Sequence, residues 1–237
     1  MSSRTDTADI AQTPGAGRWF PVKAAALAPV AVAPLVYFRI LFGGVLLWEV
    51  WRYFDYGWIE RYYIRPQFFF KYYGFEWVQP WPGSWMYVHF AVLGLLAACV
   101  MLGLFCRVCA ALFFLGFTYV FLLDQANYLN HFYLVCLLSF LLIFLPAHRA
   151  GSLDVLRKPA LQTRSVPAWM LWLLRFQIAV PYVFGGIAKI NGDWLQGEPM
   201  RDWLAGCTDF PLICCYFTQE WVVYLFCYGG LLFDLVI

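Results

Sequence analysis

The 237-residue chain is 63% hydrophobic and 21% aromatic, with 13% charged residues and a mean hydropathy of +0.66. Those values exclude an ordinary soluble domain and place the chain among multi-pass transmembrane helical bundles, an all-α class. A net charge of +2, dispersed along the sequence, gives no electrostatic footprint for nucleic acid.

The first residues, MSSRTDTADIAQTPGAGRW, are polar and lack the charged start and short apolar core of a secretory signal. Residues 1–27 are therefore expected to form a disordered polar tail, and 28–237 a transmembrane helical domain. A span needs about 20 apolar residues. The first candidate covers 28–54 and carries Arg39 and Glu49. Residues 55–83 interleave Trp, Tyr and Phe with Arg61, Arg65 and Lys71, and are broken by Pro66, Pro80 and Pro82. That mixture suits the headgroup level, so a surface-lying or re-entrant segment is predicted there.

The second span covers 85–105, and a very short turn at Cys106-Arg107 leads to a third ending near Leu123. Residues 124–130 connect to a fourth over 131–146, short but stopped by Pro146. A basic loop, 148–166, carries Arg149, Arg157, Lys158 and Arg164. The fifth span begins at Pro167 and holds Arg175. It closes on Gly185-Gly186, a lone Lys189 and a break at Asn191-Gly192-Asp193. After a mixed loop to Gln219, a sixth span starts near Glu220 and is still apolar at Ile237, which predicts truncation within that span and a longer parent protein.

Arg18 and Lys23, Arg107 and the four basic residues after the fourth span all fall on one side, which the positive-inside rule makes cytoplasmic together with the N-terminus. Arg52, Arg61, Arg65 and Lys71 are a contrary signal that the surrounding aromatics ascribe to surface docking. In this topology residues 124–131 and 189–193 share the external side. The eight cysteines read as structural filler: Cys99, Cys136 and Cys227 lie in apolar runs, Cys214 and Cys215 are adjacent, and Cys106-x-x-Cys109 has no second pair or spaced histidines. No metal is expected.

An ammonium beside hydrocarbon is costly unless it is paired, reaches water or gives up its proton. An uncharged Lys189 would serve as a base at neutral pH; the plainer alternative is that it snorkels to the interface. His131 and Asn130 open the fourth span on the same side and could hydrogen-bond a developing oxyanion, or act only as an interfacial histidine and a helix N-cap. Asp124 either pairs with a cation or ends the third span. Arg39 and Arg175 lie well inside spans, where an arginine marks a structural ion pair or a bound anionic group; Glu49 and Asp124 are available counter-charges. There is no glycine-rich phosphate cradle, Ser/His/Asp pattern or HExxH.

Ordered blocks from about Leu35 onward resemble the vitamin K-dependent gamma-glutamyl carboxylase family, including bacterial members with the horizontally transferred transmembrane domain. They are YFRILFG around Arg39, WMY at Trp85–Tyr87, MLGLFCR ending at Arg107, YVFLLD ending at Asp124 and the Asn130-His131 pair. SLD at Ser152–Asp154, LRFQ around Arg175, GIAK ending at Lys189, DWLQG from Asp193 and GGLLFDL from Gly229 continue the order. No block is specific alone; their order and spacing are.

The resemblance implies that Lys189, four residues before Asp193-Trp194, matches the catalytic lysine that deprotonates reduced vitamin K. It implies that His131 stabilises a transition state, and that Asn130, Asp124, Arg39 and Arg175 belong to the quinone-binding surroundings. Oxygen and carbon dioxide would be co-substrates, and a Glu-containing protein or peptide the acceptor. The setting would be the lipid bilayer of a bacterial inner membrane. One departure is Ala188-Lys189 where the family often has two lysines. Another is the lack, near residues 61–70, of a cysteine that animal members carry. Alternatives are a quinol epoxidase without carboxylase activity, a non-enzymatic transport or assembly component, and an electron-transfer protein. A transporter is disfavoured by the absence of an inverted repeat, and an electron-transfer protein by the absence of haem, flavin or iron–sulfur ligands.

Overall fold

The computed structural model describes residues 20–206, 214–217 and 219–236. Residues 1–19, most of the expected polar tail, lie outside the described residues, as do the side chains of Cys214 and Cys215. The end of that tail is helical: α1 covers Phe20–Leu27. A short strand, β1 (Pro29–Ala31), follows and pairs antiparallel with β2 (Ser165–Pro167), Val30 opposite Val166. This ribbon fastens the entry of the first long helix to the entry of the fifth.

Helix α2 (Ala33–Asp55) starts with a proline in its first turn, where the missing N–H costs no hydrogen bond. Its 23 residues reach roughly 34 Å, sufficient for a hydrocarbon core of about 30 Å. Tyr37, Leu41, Val45 and Trp48, at helical spacing along α2, are all exposed and form an outward apolar stripe suited to lipid. The other face packs on α3 (Trp85–Leu102) so closely that a Cβ on Gly43 would stand 2.7 Å from the Met101 nitrogen. Hydrocarbon offers no hydrophobic drive for helix association, so such close backbone approach supplies the van der Waals contact instead.

Gly103, at φ 70°, ends α3, and Phe105, at φ 45°, begins α4 (Cys106–Leu123). The Asp154 carboxylate holds this strained turn by accepting from the Phe105 and Cys106 amides at 2.9 and 3.0 Å. A 3-10 turn, Gln125–Asn127, leads to α5 (Asn130–Phe144), which stops at Leu145-Pro146. The basic loop holds α6 (Leu153–Arg157), and α7 (Ala168–Ala188) follows, with Pro181 inside it. Beyond α7 come the short helices α8 (Gly192–Leu195), α9 (Glu198–Ala205) and α10 (Cys214–Phe217), then α11 (Glu220–Val236).

Among the described residues, α2, α3, α4 and α7 are long and apolar enough to cross a membrane, and α5 is a shorter apolar helix. The chain is thus an all-α membrane bundle. In it α2 packs on α3, α3 on α4, α4 on α5 and α5 on α7. Residues 55–83 do not span. A π-helical turn at Glu60–Ile64 and buried Ile59, Tyr63 and Val78 lay them across the end of α4, where the Lys71 amine donates to the Val78 and Leu123 carbonyls at 2.6 and 2.9 Å.

The predicted sixth span is the element that differs. α11 occupies it, yet its first half forms a small core of its own, with Val222, Val223 and Cys227 packed near Leu204 and Trp194 of α9 and α8. Arg201 on α9 pairs with Glu220 at 2.9 Å. α7 stops at Ala188, so only the far end of α11 runs beside it, where a Cβ on Gly186 would come within 2.8 Å of Leu235.

Candidate functional site

Lys189 caps the C-terminus of α7, its amide donating to the Gly185 and Gly186 carbonyls at 3.1 Å. Asn191 then caps α8 by accepting from the Trp194 amide at 2.9 Å, which turns the chain back. The Trp194 indole donates to the Cys227 carbonyl at 2.9 Å, and its ring lies 4.9 Å from the Lys189 amine. On the facing side α11 brings Asp234, whose Oδ2 accepts from the Lys189 Nζ at 2.6 Å. The lysine side chain is 27% exposed and the carboxylate 13%. Gly230 faces the amine, and a Cβ there would stand 4.0 Å from Nζ.

The expectation of a solitary uncharged amine therefore gives way to a lysine–carboxylate pair. The physical reason is that a charge left alone at the bilayer edge is costly, and α11 supplies the opposite charge within hydrogen-bond reach. The sequence did carry a signal for Asp234, an acidic residue inside an apolar helix, which by default marks a functional position. It lies in the GGLLFDL block.

Asn130 and His131 begin α5 and are both exposed, but they serve different cavities. Asn130 lines one of about 410 Å³ between α5 and α7, with Gln177, Tyr133, Phe184, Gly185 and Ala188. The start of α5 and the Lys189 end of α7 therefore meet at one end of the bundle. His131 lines another of about 480 Å³ toward α2, with Glu49, Arg52, Trp58, Tyr62 and Phe132. In that cavity Arg52 pairs with Glu49 at 2.7 Å and lies 4.9 Å from the Trp58 ring. Successive helix residues point about 100° apart, which is why neighbours in sequence open onto separate spaces. Both volumes fall in the range of small-ligand sites, roughly 300–1,000 Å³.

Asp124 works on backbone: its Oδ1 accepts from the Phe70 and Ala126 amides at 3.1 and 3.0 Å, and its Oδ2 from Asn127 at 3.1 Å. It joins the surface segment to the α4–α5 connection. Burial draws the nearby Lys71 amine below its ordinary range, and the Asp124 charge opposes that shift.

Arg39 is fully buried and gives its guanidinium to the carbonyls of Val100, Met101 and Gly151 at 3.1, 2.8 and 2.6 Å. Neither counter-charge considered from sequence reaches it, since Glu49 pairs with Arg52 and Asp124 is engaged elsewhere. Arg175 is exposed on α7, and no hydrogen bond or ion pair holds it among the described residues. Cys99, Cys106, Cys109, Cys136 and Cys227 are free thiols. Among the described residues no three His, Cys, Asp or Glu side chains gather as a metal site.

The family model for the HTTM domain matches residues 27–237. No solved structure matches the chain significantly. The match spans nearly the whole chain, so the protein belongs to the HTTM-domain family, HTTM being the transmembrane domain of the vitamin K-dependent gamma-glutamyl carboxylase family.

Proposed function

We propose that this integral-membrane chain carries a quinol-dependent carboxylase site built on Lys189. The observation that carries the reading is the Lys189–Asp234 pair, partly open and set at the end of α7 where the cavity containing Asn130 begins. A general base needs an amine within reach of the substrate and a means of accommodating the proton it gains. Lys189 supplies the amine after its own proton passes out through the Asp234 carboxylate, which then stabilises the ammonium re-formed when Lys189 takes the substrate's proton. Trp194 covers the pair on one side and limits its contact with water.

The residues present fit a quinol. The cavity between α5 and α7 combines apolar walls, such as Leu137, Val180 and Phe184, with the amides of Asn130 and Gln177, which can hydrogen-bond ring oxygens. Reduced vitamin K, when bound with oxygen and carbon dioxide, supplies the oxidative chemistry that drives carboxylation of a glutamate side chain. Gly185 and Gly186 let α11 approach the end of α7 closely. His131, one position along α5, is assigned to transition-state hydrogen bonding from the neighbouring cavity. Arg175 is assigned to the lipid-facing surface of α7, Asp124 to holding the end of the bundle that carries the site, and Arg39 to holding the opposite end. By the basic-loop asymmetry the Lys189 end faces outward from a bacterial inner membrane, with the N-terminus cytoplasmic.

The deciding experiment uses the full-length protein in lipid nanodiscs with reduced vitamin K, oxygen, labelled carbon dioxide and a Glu-containing peptide. Epoxide and incorporated label are scored separately. Both products are expected from the unaltered protein and neither from Lys189→Ala, scored per folded molecule. Epoxide without label would assign quinol epoxidation alone. Epoxide formation by Lys189→Ala at the unaltered rate would remove the lysine from the mechanism.

A further inference from the structure

At the opposite end of the bundle, the tight α3–α4 turn opens a small basic cavity of about 190 Å³. Cys106, Arg107, Val108, His148, Arg157 and Lys158 line it. Its floor is the first turn of α4. The first regular bond there runs from the Cys109 amide to the Phe105 carbonyl, and Asp154 takes the Cys106 amide, which leaves the Arg107 and Val108 amides without an intrahelical acceptor.

The charges do not cancel. Asp154, the acidic side chain at the cavity, is occupied by two backbone amides and stands 3.7 Å from Arg157. Arg107 and Lys158 have no carboxylate partner among the described residues. Arg157 is held in place by the Phe105 ring, 4.0 Å from its guanidinium carbon. His148 is 7% exposed, and its Nδ1 is buried without a hydrogen-bond partner. Unpaired cations and orphan amides call for one oxyanion, and the buried His148 Nδ1 can donate to it in the tautomer that carries its proton there. The rim is apolar and open: Phe105 and Val108 are 53% and 59% exposed, as suits acyl chains descending from a headgroup.

We propose that this cavity binds the phosphate of an anionic phospholipid headgroup. Phosphate oxygens accept from Arg107, Lys158 and the amides of the α4 first turn, while the lipid tails lie along the exposed α4 surface. The basic loop is thereby anchored to the leaflet at the end of the bundle remote from Lys189, so the inference stands whether or not the quinol reading does.

The test is lipid-dependent thermal stabilisation and native mass spectrometry of the full-length protein in detergent. Three additions are compared: phosphatidylglycerol, phosphatidylcholine and inorganic phosphate. Phosphatidylglycerol is expected to raise the melting temperature and remain bound, and phosphatidylcholine to do neither. The doubly substituted Arg107→Gln, Lys158→Gln protein is expected to bind phosphatidylglycerol at least tenfold more weakly. A matched pair outside the cavity, Lys23→Gln with Arg164→Gln, should leave binding within twofold. If the cavity pair does not yield folded protein, Lys158→Gln alone supplies the comparison, with a smaller loss in the same direction. Equal stabilisation by phosphatidylcholine, or equal losses in the two pairs, overturns the site. Stabilisation by inorganic phosphate that vanishes in the cavity variant retains the phosphate site and overturns the lipid as its source.

Discussion

Arg39 and Lys189 are cations embedded at opposite ends of one bundle, and the protein treats them differently. Arg39 has no exposed surface, and its partners are three backbone carbonyls. Carbonyls cannot take or release a proton, so this charge is fixed; it joins the end of α3 to the loop at Gly151. Lys189 keeps 27% of its side chain open, and its partner is a carboxylate, which can exchange a proton. A buried charge hydrogen-bonded to fixed dipoles is architecture, whereas a partly open charge bonded to a titratable partner is suited to chemistry. Both lie in strongly apolar helices, so hydropathy alone does not separate them.

The sharpest way to break this contrast is to remove each cation. Arg39→Leu leaves carbonyls at the α3 end without their donor and is expected to cost about 3–5 kcal/mol, seen as a large fall in melting temperature or loss of monodisperse protein. Activity per folded molecule should survive. Lys189→Ala should do the reverse, lowering turnover by roughly 10²–10⁴-fold with a smaller fall in the melt, because the Asp234 carboxylate it leaves unpaired can take up a proton. If both substitutions damage folding equally, the division between architecture and chemistry fails.

Two smaller effects refine the picture. Gly103→Ala places a methyl group against the Arg39 guanidinium and Ser152, at a backbone φ of +70° that other residues rarely adopt. The conformational strain alone is about 1–3 kcal/mol, measurable by thermal denaturation; the clash adds to it, and Arg39→Leu should relieve the Arg39 share of that clash but neither the strain nor the contact with Ser152. At the lower end of the scale, burial and then the Arg107 charge hold the His148 imidazole below its ordinary 6.5. The folded state takes this proton less readily than the unfolded chain. Its contribution to stability is complete above about pH 6.5 and is lost as pH falls through the lower folded value. A melting profile that declines on acidification in the unaltered protein and flattens over that window in His148→Gln is the expected result.

The non-spanning character of residues 55–83 and the long apolar helices were legible in the sequence. So was the stop at Pro146, and so was the place of Lys189 at a helix end. The start of α11 near Glu220 was legible too, but its packing on α8 and α9 was not. That packing depends on where α7 stops and on the Asn191 cap, which together direct the chain back over Trp194. The helix at Phe20–Leu27 and the ribbon after it were missed because their partners, α7 and β2, lie more than a hundred positions away in the chain.

By itself the sequence determined which stretches are helical and apolar, and which polar residues they carry, because span length, hydropathy and proline stops are local properties. Only the tertiary structure decided what each polar group meets. It gave Arg39 to carbonyls, Asp124 to the Phe70 segment and Lys189 to Asp234, and it sent Asn130 and His131 to separate cavities. Partner choice for a charge in an apolar medium is settled by which helix faces are packed together, and that information is shared between distant parts of the chain.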